Sequence, residues 1–62
     1  MKKITTLIID DESLARAVVR EHLSLHPEIE IIGECMNGFE AVKIINEQKP
    51  ALIFLDIQMP KL

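Results

Sequence analysis

The sequence contains no tryptophan or tyrosine, and its aromatic content is limited to two phenylalanines. Proteins that bind single-stranded nucleic acid stack bases on aromatic side chains, and this chain lacks the residues for such a platform. Positive charge is also scarce, because 7 basic residues stand against 10 acidic ones and the net charge is −3. Attraction to a phosphate backbone requires the opposite balance. We therefore expect this segment to bind no nucleic acid.

Cysteine and long apolar runs are scarce as well. The single cysteine, Cys35, has no disulfide partner within the chain, and we expect it to be a small buried hydrophobe. No cluster of cysteine and histidine has the spacing of a zinc site. The first apolar segment ends at the acidic residues 10–12, too early for a signal peptide or a membrane span. These features predict a cytoplasmic chain without membrane contact.

The overall composition of the sequence is that of a folded domain. Of its 62 residues, 48% are hydrophobic and 27% are charged, which are ordinary values for a globular protein. A chain of this length buries only about 60% of the surface that it exposes when unfolded. We therefore expect one small domain of marginal stability.

Five segments predict alternating strands and helices. Apolar or β-branched runs at residues 4–9, 29–34 and 51–55 indicate strands, and helical periodicity covers residues 14–25 and 38–48. Ser13 is a candidate N-cap of the first helix. The expected outward side of the first helix includes Arg16 and Arg20, and the expected apolar positions of the two helices are Leu14, Ala15, Val18, Val19, Leu23 and Leu25, then Ala41, Val42, Ile44 and Ile45.

This alternation predicts parallel strands joined by right-handed crossovers. The first and third strands are apolar on both faces, as expected of strands that are covered on both sides. The order 2-1-3 places the helices on opposite faces, whereas the order 1-2-3 would leave the third strand half bare. The predicted fold is therefore α/β, with a flavodoxin-like (CheY-like) partial parallel sheet, β-α-β-α-β, in the order 2-1-3.

Acidic residues follow two strands that this order makes neighbours. Asp10 and Asp11 come after the first strand, and Asp56 comes after the third. Because neighbouring strands lie about 5 Å apart, we expect the three carboxylates to converge where such sheets bind ligands. A cation would relieve their repulsion, and hard oxygen ligands favour Mg²⁺. Asp56 is best placed as a nucleophile toward a phosphoryl group, with Asp10 and Asp11 as metal ligands.

Three motifs in this order resemble the receiver domain of bacterial two-component response regulators, and the similarity spans the whole chain. They are Asp-Asp-Glu at residues 10–12, Asn-Gly at residues 37–38, and Leu-Asp-Ile-Gln-Met-Pro at residues 55–60. Within that family, residues 11–16 and 54–60 look most like receivers joined to LytTR-type DNA-binding domains.

The resemblance implies a signalling protein rather than an enzyme, with a sensor histidine kinase as partner. Asp56 would accept the phosphoryl group. Asp11, Asp56 and the main-chain carbonyl of Gln58 would bind Mg²⁺ directly, and Asp10 would act through water. A receiver domain is roughly twice as long as this chain. Residues 1–62 would therefore be its N-terminal half, without the fourth and fifth strands or the output domain, whose expected role is transcriptional regulation.

Two other functions remain open at this stage. The chain could be a non-switching interaction or dimerisation fragment that keeps the acidic pocket. A magnesium-dependent phosphohydrolase would also use Asp56, but such enzymes carry a second acid two residues later, where this chain has Gln58. The outer edge of the third strand would be unpaired and residues 52–55 only partly covered. We therefore expect a two-fold homodimer whose sheet continues across that edge.

Overall fold

The computed structural model describes residues 2–55 and contains a three-stranded parallel sheet with two helices. The elements are β1 (Ile4–Ile9), α1 (Ser13–Leu23), β2 (Ile29–Cys35), α2 (Gly38–Gln48) and β3 (Leu52–Leu55). Their order in the sheet is β2-β1-β3, with both pairs of strands parallel. This confirms the predicted α/β fold and places β1 in the centre of the sheet.

The first helix differs from its prediction at both ends. Ser13 is the first helical residue rather than the N-cap, because Glu12 occupies the cap position with extended backbone angles. The helix ends at Leu23, after which the chain tightens into turns, with the Leu25 N–H donating to the His22 carbonyl at 3.2 Å and the His26 N–H to the Leu23 carbonyl at 3.0 Å. The chain therefore leaves the helix before it reaches Pro27.

The pairing of β1 with β2 contains one irregularity. Thr6 pairs with Ile31, but Leu7 pairs with Gly33, so one residue of β2 has no partner at this point. An extra residue of this kind is a β-bulge, and it reverses which face the following residues occupy. As a result, Glu34 pairs with Ile8 and lies on the same face of the sheet as α1.

The apolar arc of α1 is covered less than its periodicity predicts. Leu23 is buried, but Leu14 is 78% exposed and Val18 is 53% exposed, and Leu25 lies beyond the helix and is exposed. Within residues 2–55, α1 packs over β1 and β2 but not over β3. The expectation for these three residues was wrong, because no strand that the structure describes packs against the part of the arc that carries Leu14 and Val18, and Leu25 lies outside the helix.

The second helix is held by well-defined ends. The Asn37 side chain accepts a hydrogen bond from the Glu40 N–H at 3.0 Å, and the Glu40 carboxylate accepts one from the Met36 N–H at 3.1 Å. The first bond satisfies one of the donors that a helix start leaves free, and the second fixes the main chain just before the N-cap. At the other end, Lys49 adopts a left-handed conformation with φ of 48°. Val42, placed on the apolar face by the sequence, is exposed instead.

The core lies between β1, β2 and α2. Leu7, Ile9, Cys35 and Ala41 are buried together, and the predicted burial of Cys35 is confirmed. In contrast, all four residues of β3 are 37–55% exposed, which bears out the expectation of partial cover for residues 52–55. Neither α1 nor α2 packs over β3 within the described part of the chain. The apolar composition of β3 predicted a strand covered on both faces, and these two helices do not provide that cover.

Candidate functional site

Asp10 lies directly after the last residue of β1, and the fold holds it tightly. It is 5% exposed. Its main-chain N–H donates to the Cys35 carbonyl at 2.9 Å, which extends the sheet by one bond. Its Oδ1 atom accepts a hydrogen bond from the Glu12 N–H at 2.9 Å, the pattern of an Asx turn. The carboxylate therefore has a fixed direction at the carboxyl end of the central strand.

Asp11 is adjacent in sequence but lies in a different environment. It is exposed, in the bend between β1 and α1. A buried, oriented carboxylate and an exposed one thus stand next to each other at this edge of the sheet. Their position after the strand did not distinguish them in the sequence, whereas the structure gives them different exposure.

The other two predicted ligands, Asp56 and Gln58, lie outside the described residues. The structure does show the strand that precedes them, because β3 lies beside β1 and Ile9 pairs with Leu55. Among residues 2–55 there is no group of three or more histidine, cysteine, aspartate or glutamate side chains that could hold a metal ion. The convergence of all three acids therefore stays a prediction.

The donor set at this edge suits a hard cation. The described acids are the carboxylates of Asp10 and Asp11, and Mg²⁺ binds such oxygens with several of its positions left to water and phosphate. Cys35 is close in the fold through its carbonyl bond to Asp10, but its buried thiol is a poor metal ligand. Burial raises the pKa of the Cys35 thiol, Glu40 adds to this increase, and Arg16 opposes it. The residues present therefore fit Mg²⁺ better than zinc.

A cavity of about 500 Å³ opens beside Asp10, between α1 and the β1–β3 part of the sheet. Asp10 is the only acidic residue among the described side chains that line it, and the others are apolar. They are Ile8, Ile9, Ala15, Val18, Val19, Phe54 and Leu55. An oriented carboxylate thus borders an apolar opening along the strand that leads to Asp56.

Three charged side chains that the sequence did not mark as functional form a cluster that reaches Asp10 through Arg16. Arg16 donates from Nη1 to the Asp10 main-chain carbonyl at 2.6 Å, and its Nε lies 3.7 Å from Glu34 Oε1. Arg20 Nη1 donates to Glu34 Oε2 at 2.6 Å. Arg16 was expected on the outward side of α1, yet its side chain is only 20% exposed. Helical periodicity carries no signal for this contact, because the acidic partner comes from another strand.

Comparison with known proteins agrees with the fold. Residues 6–62 match the family described as the response regulator receiver domain. The chain therefore belongs to the receiver domain family of response regulators, which are signalling proteins rather than classical enzymes.

Several curated relatives are response regulators. The chain is 52% identical over 59 residues to an uncharacterized response regulatory protein of Shewanella oneidensis. It is 46% identical over 59 residues to the transcriptional regulatory protein BtsR of Escherichia coli K12 and 48% identical over the same length to BtsR of Salmonella typhi. Each match covers 95% of this chain and 25% of the relative. The chain thus spans about a quarter of the length of these relatives.

Neither helix within residues 2–55 is long and apolar enough to cross a membrane.

Proposed function

We propose that this chain is the phosphoryl-accepting part of a two-component response regulator. Asp56 accepts a phosphoryl group from a histidine kinase. Asp11, Asp56 and the Gln58 carbonyl hold Mg²⁺ directly, and Asp10 holds it through water. The observation that carries this proposal is the buried, oriented carboxylate of Asp10 at the end of β1, together with the pairing of Ile9 with Leu55. Asp10 and Asp56 are the residues that follow this pair in sequence.

The proposed reaction is a displacement at phosphorus. A carboxylate oxygen of Asp56 attacks the phosphoryl group on the kinase histidine, an O–P bond forms, and the P–N bond breaks with the electron pair returning to the imidazole. Mg²⁺, when bound, neutralises the transferring oxygens. In this scheme Asp10 contributes a fixed acceptor for a metal-bound water, because the Glu12 N–H orients its carboxylate.

The extent and output of the domain are part of the same proposal. We infer that residues 1–62 correspond to the N-terminal half of a receiver domain in a cytoplasmic protein. We further propose a transcriptional output of the LytTR type. Two kinds of observation support it, namely the resemblance of residues 11–16 and 54–60 and the relatives named as transcriptional regulatory proteins.

The experiment that tests the acceptor role is mass measurement after incubation with Mg²⁺ and acetyl phosphate. We expect a phosphate-sized gain in mass in the unmodified chain and none in Asp56→Asn. Glu12→Gln is the matched control, because it removes one neighbouring acid that has no proposed role and should leave the gain unchanged.

Three results would lead to different conclusions. A gain of the same size in Asp56→Asn would contradict Asp56 as the acceptor. No gain in a chain that is folded by circular dichroism would favour an interaction fragment. Release of many phosphate equivalents per chain would point instead to a phosphohydrolase.

The exposed apolar surface of β3 favours a second function, self-association. All four β3 side chains are 37–55% exposed, and no other strand within residues 2–55 pairs with the outer edge of β3. Unpaired edges with apolar side chains are templates for pairing with another chain. We propose that this edge pairs with that of a second copy in a two-fold dimer.

Sedimentation of the chain at micromolar concentration tests the dimer. We expect a dimer for the unmodified chain and a shift toward monomer for Ile53→Lys, because charge on such a strand discourages pairing. Val42→Lys is the control, since Val42 is exposed on α2, which does not pack over β3. A folded monomer of the unmodified chain at this concentration would contradict the proposal.

A further inference from the structure

We propose that Arg16 is a positioning residue for the acidic site, fixing the main chain from which Asp10 and Asp11 project. The inference deepens the proposed function and rests on it for the identity of the bound cation. Its basis is the hydrogen bond of 2.6 Å from Arg16 Nη1 to the Asp10 carbonyl. This bond crosses from the first turns of α1 back to the end of β1.

The bond completes a set of three that hold Asp10. Its N–H donates to Cys35 in β2, its carboxylate accepts from Glu12, and its carbonyl accepts from Arg16. The first bond fixes the end of the strand, and the second fixes the carboxylate relative to the following bend. The third ties that bend to the helix. Without the Arg16 side chain, the Asp10 carbonyl loses its bond to the helix, and the bend keeps only its local bond and the 3.1 Å bond from the Arg16 main-chain N–H to the Glu12 carbonyl.

Arg16 is itself oriented by the ion pairs around Glu34. Its Nε lies 3.7 Å from Glu34 Oε1, while Arg20 holds the other carboxylate oxygen at 2.6 Å. The β-bulge after Thr6 makes this possible, because it brings Glu34 to the α1 face of the sheet. An arginine can direct separate N–H groups at two acceptors at once, which the single ammonium of lysine does with less defined geometry.

The positive charge of Arg16 opposes the binding of a cation, whereas its hydrogen bond to Asp10 supports that binding. A guanidinium bonded to Asp10 repels Mg²⁺, so removal of the charge would favour binding while removal of the geometry would oppose it. A neutral substitution would therefore mix two effects of opposite sign. Arg16→Lys separates them, because it keeps the charge and changes the hydrogen-bonding geometry.

The matched control is Arg20→Lys. Arg20 shares the Glu34 partner and lies one helical turn further along α1, but its recorded hydrogen bond goes to Glu34 and not to Asp10. Both variants conserve net charge and weaken the same ion-pair cluster. A difference between them therefore reports the bond to Asp10.

The first measurement is amide hydrogen exchange at Glu12 in the metal-free chain, read by nuclear magnetic resonance. We expect exchange several-fold faster in Arg16→Lys than in Arg20→Lys, because the bend that holds the Glu12 N–H loosens. Equal exchange in the two variants would overturn the inference, whether or not the chain binds a cation.

The second measurement is Mg²⁺ titration, followed by the amide shifts of residues 10–13. Mutation of a group that supports a metal ligand lowers affinity by about tenfold or more. We expect roughly tenfold weaker binding in Arg16→Lys and a change of less than about twofold in Arg20→Lys. Equal losses of Mg²⁺ affinity in the two variants would overturn the positioning role and leave Arg16 with a packing role only. If the unmodified chain binds no Mg²⁺ while the exchange difference holds, the proposed function fails and the positioning role stands.

Discussion

β1 and β3 are similar in sequence and opposite in environment. Both are short strands in which apolar residues dominate, yet Leu7 and Ile8 in β1 are fully buried whereas every residue of β3 is more than one-third exposed. The difference lies in their neighbours, because β1 has a strand on each side and both helices over it, and β3 has one strand and neither helix within residues 2–55. Composition thus shows that a strand can be buried, and its position in the sheet decides whether it is.

The largest expected effect comes from truncating the same residue type in each strand. Leu7→Ala opens a cavity in the closed part of the molecule and should cost about 2–5 kcal/mol, which is comparable with the whole stability of so short a domain. Leu55→Ala removes a side chain that is already half exposed and should cost about 1 kcal/mol or less. Urea unfolding followed by circular dichroism measures both, since the chain has no tryptophan.

Unfolding both variants at several protein concentrations tests whether a second copy covers β3. If β3 pairs with a second copy, the cost of Leu55→Ala should grow as concentration rises, while that of Leu7→Ala should not. Equal costs for the two variants at low concentration would mean that β3 is as well buried as β1.

Alanine substitutions at the two glycines should change the stability by an intermediate amount. A Cβ at Gly33 would lie 3.2 Å from Ile44 and 3.3 Å from Leu7, whereas a Cβ at Gly38 would meet nothing within 4 Å. We expect Gly33→Ala to destabilise the fold by about 1–3 kcal/mol through overpacking. Gly38→Ala should stabilise it by about 0.5 kcal/mol, because it restricts the unfolded chain at the start of α2.

Thermal unfolding of the two alanine variants checks this prediction. A lower midpoint for Gly33→Ala and a slightly higher one for Gly38→Ala are expected. If Gly33→Ala is as stable as the unmodified chain, the contact between β2 and α2 is looser than the structure shows.

The smallest expected effect is the pH dependence contributed by Cys35. Its folded pKa lies above the ordinary value of 9.0, chiefly because the thiol is buried. As the pH rises, the unfolded chain therefore loses the thiol proton before the folded chain does. The stabilisation that the thiol contributes is complete below the ordinary pKa of 9.0 and declines as the pH rises through the pKa of the folded chain. Urea midpoints measured at about pH 7 and about pH 10 should fall more in the unmodified chain than in Cys35→Ala. Identical falls would show that the thiol makes no contribution.

The fold could be predicted because its signals are local. β1 matches its predicted range, and α2 begins at Gly38, where the Asn-Gly motif indicates a helix start. The exposure of Leu14 and Val18 could not be predicted, because helical periodicity identifies an apolar arc but not the width of the surface that covers it. Burial of that arc depends on strand order and helix placement, which are properties of the whole sheet.

The site was predictable to a smaller extent. Adjacent acids after a strand indicated Asp10 correctly as a residue at the edge of the sheet, but the same pattern treated Asp11 as its equivalent. Only the backbone path shows that one is buried and the other exposed. Arg16 contacts both Asp10 and Glu34. A β-bulge places Glu34 on the α1 face of the sheet, and the residue types of β2 do not predict that bulge.

The central position of β1 has a consequence for synthesis. β1 leaves the ribosome before both of its partners, and the hydrogen bonds between Ala51 and Thr5 join residues 46 apart. The nascent chain therefore carries a largely apolar segment without both of its partners until β3 has emerged. Long-range parallel pairing of this type is slow and leaves intermediates prone to aggregation. Chaperone capture of ribosome-bound chains should accordingly be strongest before residue 55 has emerged.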